Sequence, residues 1–253
     1  MRFANKVVVV TGAASGFGRA AVRKFAGEGA RIVAADIDAD GLNALVDEMS
    51  GDGHTIIGVE TDVTNGSAVQ AMVDAGVAEF GTIDVLVNNA GAGHPPMFMH
   101  DMPEEQFDRI FDLNTKSVYL GVKAVTPVMI GNGGGVIINT ASIGAKNPRL
   151  KSTPYNAAKG AVVVMTRGLA VDLARFKIRV NCVCPLASET GFFKTVTGKD
   201  RISDEARKTL ESDVPLRRLT DPDDVANAIL YLASNDAAFI TGVSLDIDGG
   251  KSI

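Results

Sequence analysis

Residues 6–11 read KVVVVT, apolar throughout rather than alternating. A strand with one wet face alternates apolar and polar residues. A strand apolar on both faces must be covered on both, which is the setting of a parallel sheet with helices above and below. Six further β-branched runs recur along the chain, at Arg31–Ala35, Thr55–Glu60, Ile83–Asn88, Gly135–Thr140, Ile178–Val183 and Val243–Ile247. Between them lie segments of helical period at about 16–28, 39–50, 65–79, 104–130, 153–175 and 221–233. Two helix starts are marked chemically. Pro103 precedes Glu104 and Glu105, and Pro222 precedes Asp223 and Asp224, which suits a first turn. Alternating β and α units predict an α/β fold: a single doubly wound domain over 1–253, with a mainly parallel seven-stranded sheet and helices on both faces. Residues 186–213 break the rhythm just after a strand end, where substrate-covering loops tend to lie.

Of the 253 residues, 25 are Lys or Arg and 30 are Asp or Glu, giving a net charge of −5. Binding to phosphate backbones needs a basic footprint, so nucleic acid and anionic membrane are not the expected partners. The N-terminal apolar run covers only Val7–Val10, far short of a signal-peptide core or of the roughly 18 residues of a spanning helix. No other uninterrupted apolar stretch is long enough. The two cysteines, Cys182 and Cys184, would share one face of a strand and read as buried free thiols. These features predict a cytoplasmic protein. His54, His94 and His100 have no partner at metal-ligand spacing, and no metal is expected.

The first strand runs into TGAASGFG, with Gly12, Gly16 and Gly18. Removing side chains between a strand and a helix lets backbone N–H groups face a pyrophosphate. The spacing is G-x-x-x-G-x-G, and on its own a tight turn without a ligand reads equally well. Asp36 lies 18 residues beyond Gly18, at the end of the second strand. A carboxylate there can accept two hydrogen bonds from an adenosine ribose diol and would repel a 2′-phosphate. Ile37 follows it, and Ser15 rather than a base precedes Gly16, so NAD is expected over NADP.

In STPYNAAKGAVV, Tyr155 and Lys159 are four apart and share a helix face. Such a pair can be a surface pair. It can also be an acid/base, because an ammonium favours the phenolate of a neighbouring tyrosine. Here the residues resemble the short-chain dehydrogenase/reductase family, over essentially the whole chain. TGAASGFG looks like its cofactor turn, and NNAG at Asn88–Gly91 like its motif after the fourth strand. INTAS ends in Ser142 where the family has a catalytic serine. YNAAK looks like its active-site helix, and Asn114 in FDLNTKSV matches its fourth catalytic position.

The resemblance implies a Rossmann-type NAD oxidoreductase acting on a secondary alcohol or ketone. Tyr155 is then the general acid/base, and Lys159 lowers its pKa and holds the nicotinamide ribose. Ser142 orients the substrate oxygen, and Asn114 holds a water that links Lys159 to solvent. Gly12, Ser15, Gly16, Phe17 and Gly18 form the cofactor turn, with Asp36 and Ile37 at the ribose. Asp62 contacts the adenine amine beside Val63, while Asn89, Ala90 and Gly91 line the adenosine side. Thr140, Pro185, Leu186 and Thr190 complete the cofactor contacts, with Thr190 at the carboxamide. Substrate contacts are expected at Ser142, Tyr155, His94 and Leu186. One departure is visible: the family commonly has Pro-Gly after the sixth strand, and Leu186 stands in place of that glycine.

Weaker signals remain open. His94, just past NNAGAG, is either a loop residue or a substrate contact. Arg149 and Lys151 either sit in a solvated loop or attract an anionic substrate. Phe192 and Phe193 hint at an apolar pocket. The Tyr155 helix continues with small and apolar residues on more than one face, and with 104–130 predicts a homotetramer. Two rivals are a 3-oxoacyl-thioester (acyl-carrier-protein) reductase, against which Asp36 and Ile37 count, and a dinucleotide sensor without catalysis.

Overall fold

A computed structural model describes residues 1–186, 188, 195–196, 198 and 202–253. Seven strands form one parallel sheet: β1 (Val7–Thr11), β2 (Arg31–Asp36), β3 (Ile56–Glu60), β4 (Val85–Asn88), β5 (Gly135–Thr140), β6 (Ile178–Pro185) and β7 (Ser244–Ile247). Their order is β3-β2-β1-β4-β5-β6-β7. The α-helices whose bounds lie among the described residues are α1 (Gly16–Gly27), α2 (Ala39–Gly51), α3 (Gly66–Phe80), α4 (Glu104–Phe111), α5 (Ser117–Gly131), α6 (Thr153–Leu173), α7 (Asp204–Ser212) and α8 (Pro222–Ala233).

The apolar β1 run is explained by what it divides. Val7 and Val9 enter a core shared with α3, α5 and α6. Val8 and Val10 enter a second core shared with α1, α2 and α8. Both faces of the strand are dry, so both side-chain sets are valine. Sequence order reverses between β1 and β4, and in open α/β sheets the crevice at such a switch point, beyond the strand C-termini, is where ligands bind. Cys182 and Cys184 lie in the first core as free thiols.

Local chemistry sets the helix ends. Asp38 and Asn65 accept backbone N–H groups at the starts of α2 and α3. Asp221 and Asp224 form a capping box around Pro222 at the start of α8. Helix α1 differs: its N-cap, Ser15, makes no side-chain cap bond and its first turn holds no acid.

Two expectations change. The predicted helix over 104–130 is interrupted by a π-helical turn at Asp112–Lys116. Hydrophobic period could not reveal it, because a π-turn widens a helix without ending its stripe. The irregular stretch 186–213 contains α7, a polar helix with no buried residue, capped by the Ser203 hydroxyl on Ala206 N–H. With no apolar stripe it left no periodic signal. Among the described residues, no helix is long and apolar enough to cross a membrane.

Candidate active site

At the switch point lies a cleft of about 840 Å³. One end is built from backbone. Gly12 and Gly16 take φ of +65° and +52°, in the left-handed region that glycine favours. A Cβ on Gly18 would sit 2.0 Å from the Gly12 carbonyl oxygen, so only glycine allows α1 to start this close to the turn. Asn89 locks the turn from β4, its Nδ2 donating to the carbonyls of Thr11 and Gly12 at 3.0 and 3.3 Å. The Thr11 hydroxyl accepts the N–H groups of Asn89 and Ala90. Asp36 accepts Ala14 N–H at 2.9 Å on one oxygen and Asp38 N–H at 3.0 Å on the other. The carboxylate is thus fixed against the turn, with lone pairs left on both oxygens. Across the cleft mouth, the Asp62 carboxylate is tied to the N–H and hydroxyl of Thr64.

The other end brings together side chains from β5, α6 and the π-turn. Ser142 caps the short turn Ile143–Ala145, its Oγ accepting Gly144 N–H at 3.1 Å. That leaves its own hydrogen free to donate, and the Ser142 hydroxyl pulls the Tyr155 pKa down. One helical turn on, Lys159 is buried, and its Nζ donates to Thr140 O at 2.8 Å. It lies 5.9 Å from the Tyr155 ring centre. The π-turn turns Asn114 inward, where Nδ2 donates to the carbonyls of Ala92 and Ile110 at 2.9 and 3.0 Å. Asn114 Oδ1 is buried with no hydrogen-bond partner. A Cβ on Gly91 would stand 2.8 Å from that oxygen and 3.0 Å from Lys159 Nζ, so Gly91 keeps open the space between them.

Burial dominates the protonation of this cluster. The Tyr155 phenol is pushed up to about 12 by desolvation, against the pull of the Ser142 hydrogen bond and the Arg149 charge. Lys159 is pushed down to about 8 by its own burial. The expectation of a lowered Tyr155 pKa does not hold in the protein alone: burial raises it, and the Arg149 charge supplies only a smaller opposing pull. Lys159 is drawn to the Thr140 carbonyl and is itself desolvated, which weakens its hold on a charge.

Nearly all the sequence-predicted residues line this one cleft: Gly12, Ser15, Gly16, Phe17, Asp36, Ile37, Asp62, Val63, Asn89, Ala90, Gly91, His94, Thr140, Ser142, Tyr155, Lys159, Pro185 and Leu186. Gly18 and Asn114 lie directly behind its wall. Thr190, Phe192 and Phe193 fall outside the described residues. Arg149 lines the cleft, but Lys151 does not; its ammonium rests over the Phe98 ring at 4.6 Å. Sequence reasoning missed Asn156, whose Nδ2 donates to Arg149 O at 3.0 Å, and the wall residues Glu105 and Asp108. Asn156 sits inside YNAAK, beside residues already singled out. Glu105 read only as helix-start chemistry, and Asp108 carried no signal in the sequence. No three His, Cys, Asp or Glu side chains cluster as a metal site among the described residues.

A fold wound around a glycine turn, with serine, tyrosine and lysine converging at its switch point, defines the class: the chain belongs to the short-chain dehydrogenase/reductase family. A family model described as enoyl-(acyl carrier protein) reductase matches residues 12–252. The chain is 38% identical to 4-formylbenzenesulfonate dehydrogenase of Comamonas testosteroni, over all of both chains. It is 37% identical to 7alpha-hydroxysteroid dehydrogenase of Escherichia coli K12, over 99% of this chain and 95% of the relative. Among solved structures, 3-ketoacyl-(acyl-carrier-protein) reductase from Brucella melitensis, complexed with NADH, superposes with a TM-score of 0.91 at 41% identity, covering 99% of each chain.

Proposed function

We propose that the protein transfers a hydride between NAD(H) and a secondary alcohol or ketone, with Tyr155 as general acid/base. The observation that carries this reading is the convergence of Ser142, Tyr155 and Lys159 on the switch-point cleft, with Lys159 Nζ 5.9 Å from the Tyr155 ring centre. The cofactor, when bound, supplies the hydride chemistry. The residues present fit it. The uncapped first turn of α1 offers N–H groups to a pyrophosphate, behind glycines that leave no side chain in the way. Asp36 receives the adenosine ribose diol and turns away a 2′-phosphate, which favours NAD. Both NADH-bound neighbours, the Brucella reductase and a 7 alpha-hydroxysteroid dehydrogenase at TM-score 0.92, support that choice.

In reduction, Tyr155 holds its proton at neutral pH and donates it to the substrate oxygen. The Ser142 hydroxyl, held by Gly144 N–H, donates to the same oxygen as charge develops there. In oxidation, Tyr155 must first lose its proton, which the Ser142 hydrogen bond and the Arg149 charge favour. Lys159, its pKa brought close to neutral, and the bare Asn114 Oδ1 give that proton a path around Gly91 to solvent. The active protein is read as a homotetramer. The apolar residues Val164 and Val171 on α6 and Tyr119 and Ile130 on α5 stand exposed, as an assembled face would require.

The test follows absorbance at 340 nm across secondary alcohols, diols, sugars, hydroxy acids and hydroxysteroids, with NAD and with NADP, using Tyr155→Phe as the blank. Tyr155-dependent turnover with NAD is expected. NADH binding without any Tyr155-dependent turnover would favour the sensor. The 3-oxoacyl-thioester reductase stands as the second reading, because of the Brucella relative; turnover confined to NADPH and thioesters would establish it.

A further inference from the structure

At the substrate end of the cleft, two hydrogen-bond acceptors besides Asn114 Oδ1 have no partner. His94 is only 4% exposed yet lines the cleft. Its Nδ1 lies 2.8 Å from the Pro95 carbonyl oxygen. A carbonyl can only accept, so Nδ1 carries the ring hydrogen and Nε2 of the neutral ring is a bare acceptor. Nε2 is buried without a hydrogen-bond partner. Asn156, also buried and lining the cleft, repeats the pattern. Its amide nitrogen is used on Arg149 O, and its Oδ1 is left without a partner. Neither atom takes part in the chemistry assigned to Ser142, Tyr155 and Lys159. The reacting oxygen of the substrate is met by donors, whereas these two positions ask for a donor on the substrate itself.

We propose that His94 recognises a second hydroxyl on the substrate, so that this protein acts on diols or polyols in preference to simple secondary alcohols. The proposal rests on the alcohol-oxidising reading of the cleft. The reacting hydroxyl lies against Ser142 and Tyr155, and the second donates to His94 Nε2, with Asn156 Oδ1 as a further acceptor. Buried acceptors left empty are costly, and a site shaped this way penalises the analogue that lacks the hydroxyl. An anionic group at His94 would set acceptor against acceptor.

The probes are cyclohexanol and the cyclohexane-1,2-, 1,3- and 1,4-diols, which carry the same ring and vary only the second hydroxyl. In the wild-type protein with NAD, at least one diol should exceed cyclohexanol by about tenfold to a hundredfold in kcat/KM. His94→Phe, which keeps a flat ring without an acceptor, should bring that ratio close to one, and His94→Gln should restore part of it. A second arm measures equilibrium binding of the same four compounds to NAD-loaded Tyr155→Phe by calorimetry, with and without His94→Phe. The same preference should appear there and vanish with the histidine. Equal use of cyclohexanol and every diol, or a preference that survives His94→Phe in both arms, overturns the proposal. Absence of turnover alone counts against the oxidoreductase reading, and the binding arm still decides whether His94 recognises a hydroxyl.

Discussion

The two ends of the cleft are built on opposite plans. At the cofactor end, the parts hold one another: Asn89 bonds the turn, Thr11 bonds Asn89, and Asp36 bonds Ala14. What it offers a ligand is backbone N–H groups, two carboxylate oxygens and the space left by missing side chains. At the substrate end, the groups are buried side chains, and three of their acceptors, on Asn114, His94 and Asn156, are empty. A shared cofactor can be met by a self-supporting frame. A particular substrate has to be met by groups that stay unsatisfied until it arrives.

The contrast predicts different failures when each end is cut. The largest loss belongs to the reacting oxygen. Tyr155→Phe removes the proposed acid/base and should lower kcat by about 10²–10⁴-fold, with NADH affinity, followed by fluorescence, within about threefold of wild type. At the frame end, Gly18→Ala should act through structure. Its Cβ has the Gly12 carbonyl oxygen at 2.0 Å, backbone that cannot give way. A loss of about 1–3 kcal/mol is expected, read as a lower Tm together with weakened NADH binding. If Gly18→Ala lowered kcat and left the Tm and NADH affinity intact, the division between frame and chemistry would be wrong.

This contrast also explains what could be read from residue order. The sheet was legible because β1 is valine on both faces, and the turn because glycine is needed where φ is positive or backbone crowds. Those are local demands, and local demands write themselves into short motifs. The π-turn was not legible, since Asn114 was placed by resemblance while its inward aim comes from a widened helical turn. Lys151 was grouped with Arg149 by adjacency, but its φ of +59° and the Phe98 ring carry it away from the cleft. The charge shifts were misjudged for a related reason. Spacing put Lys159 near Tyr155, but only the depth of the pocket shows how strongly burial shifts them both.

That desolvation makes the chemical end a source of pH-dependent stability. Folded Lys159 titrates near 8 rather than 10.5. Between these values the unfolded chain binds more protons than the folded one, so stability should rise with pH over about 8 to 10. Tyr155 acts the other way. Its pKa of about 12 in the folded protein exceeds the usual 10, so stability should fall as pH climbs past 10. Urea unfolding at pH 7.5 and 9.5 checks the first window: Lys159→Met should be stabilised most at the lower pH and lose the rise. A wild-type protein whose stability does not rise in that window would mean that Lys159 is solvated in the folded state. At the frame end, Asp36→Asn should weaken NADH about tenfold and narrow its lead over NADPH, because a charge-assisted acceptor for the ribose diol is lost. An unchanged NADH-to-NADPH affinity ratio would remove Asp36 from cofactor choice.

The smallest expected effect separates two cations that differ by two positions. Arg149 lines the cleft and lowers the Tyr155 pKa by its charge. Lys151 rests on Phe98, outside the lining. Losing the Arg149 charge should move the pKa of Tyr155 upward, so the acid limb of the pH–rate profile for alcohol oxidation should shift to higher pH in Arg149→Ala. At neutral pH, oxidation should slow roughly twofold to fivefold, in keeping with ~0.2–1 kcal/mol for an exposed charge. Reduction should be spared, because the protonated phenol is the form it needs. Lys151→Ala should leave both directions and the profile in place. If Arg149→Ala instead raised KM for anionic substrates alone and left the profile unmoved, its charge would be steering substrate rather than setting the phenol. If Lys151→Ala shifted the profile as far as Arg149→Ala, the cleft would be sensing the net charge of the whole loop rather than the one guanidinium that lines it.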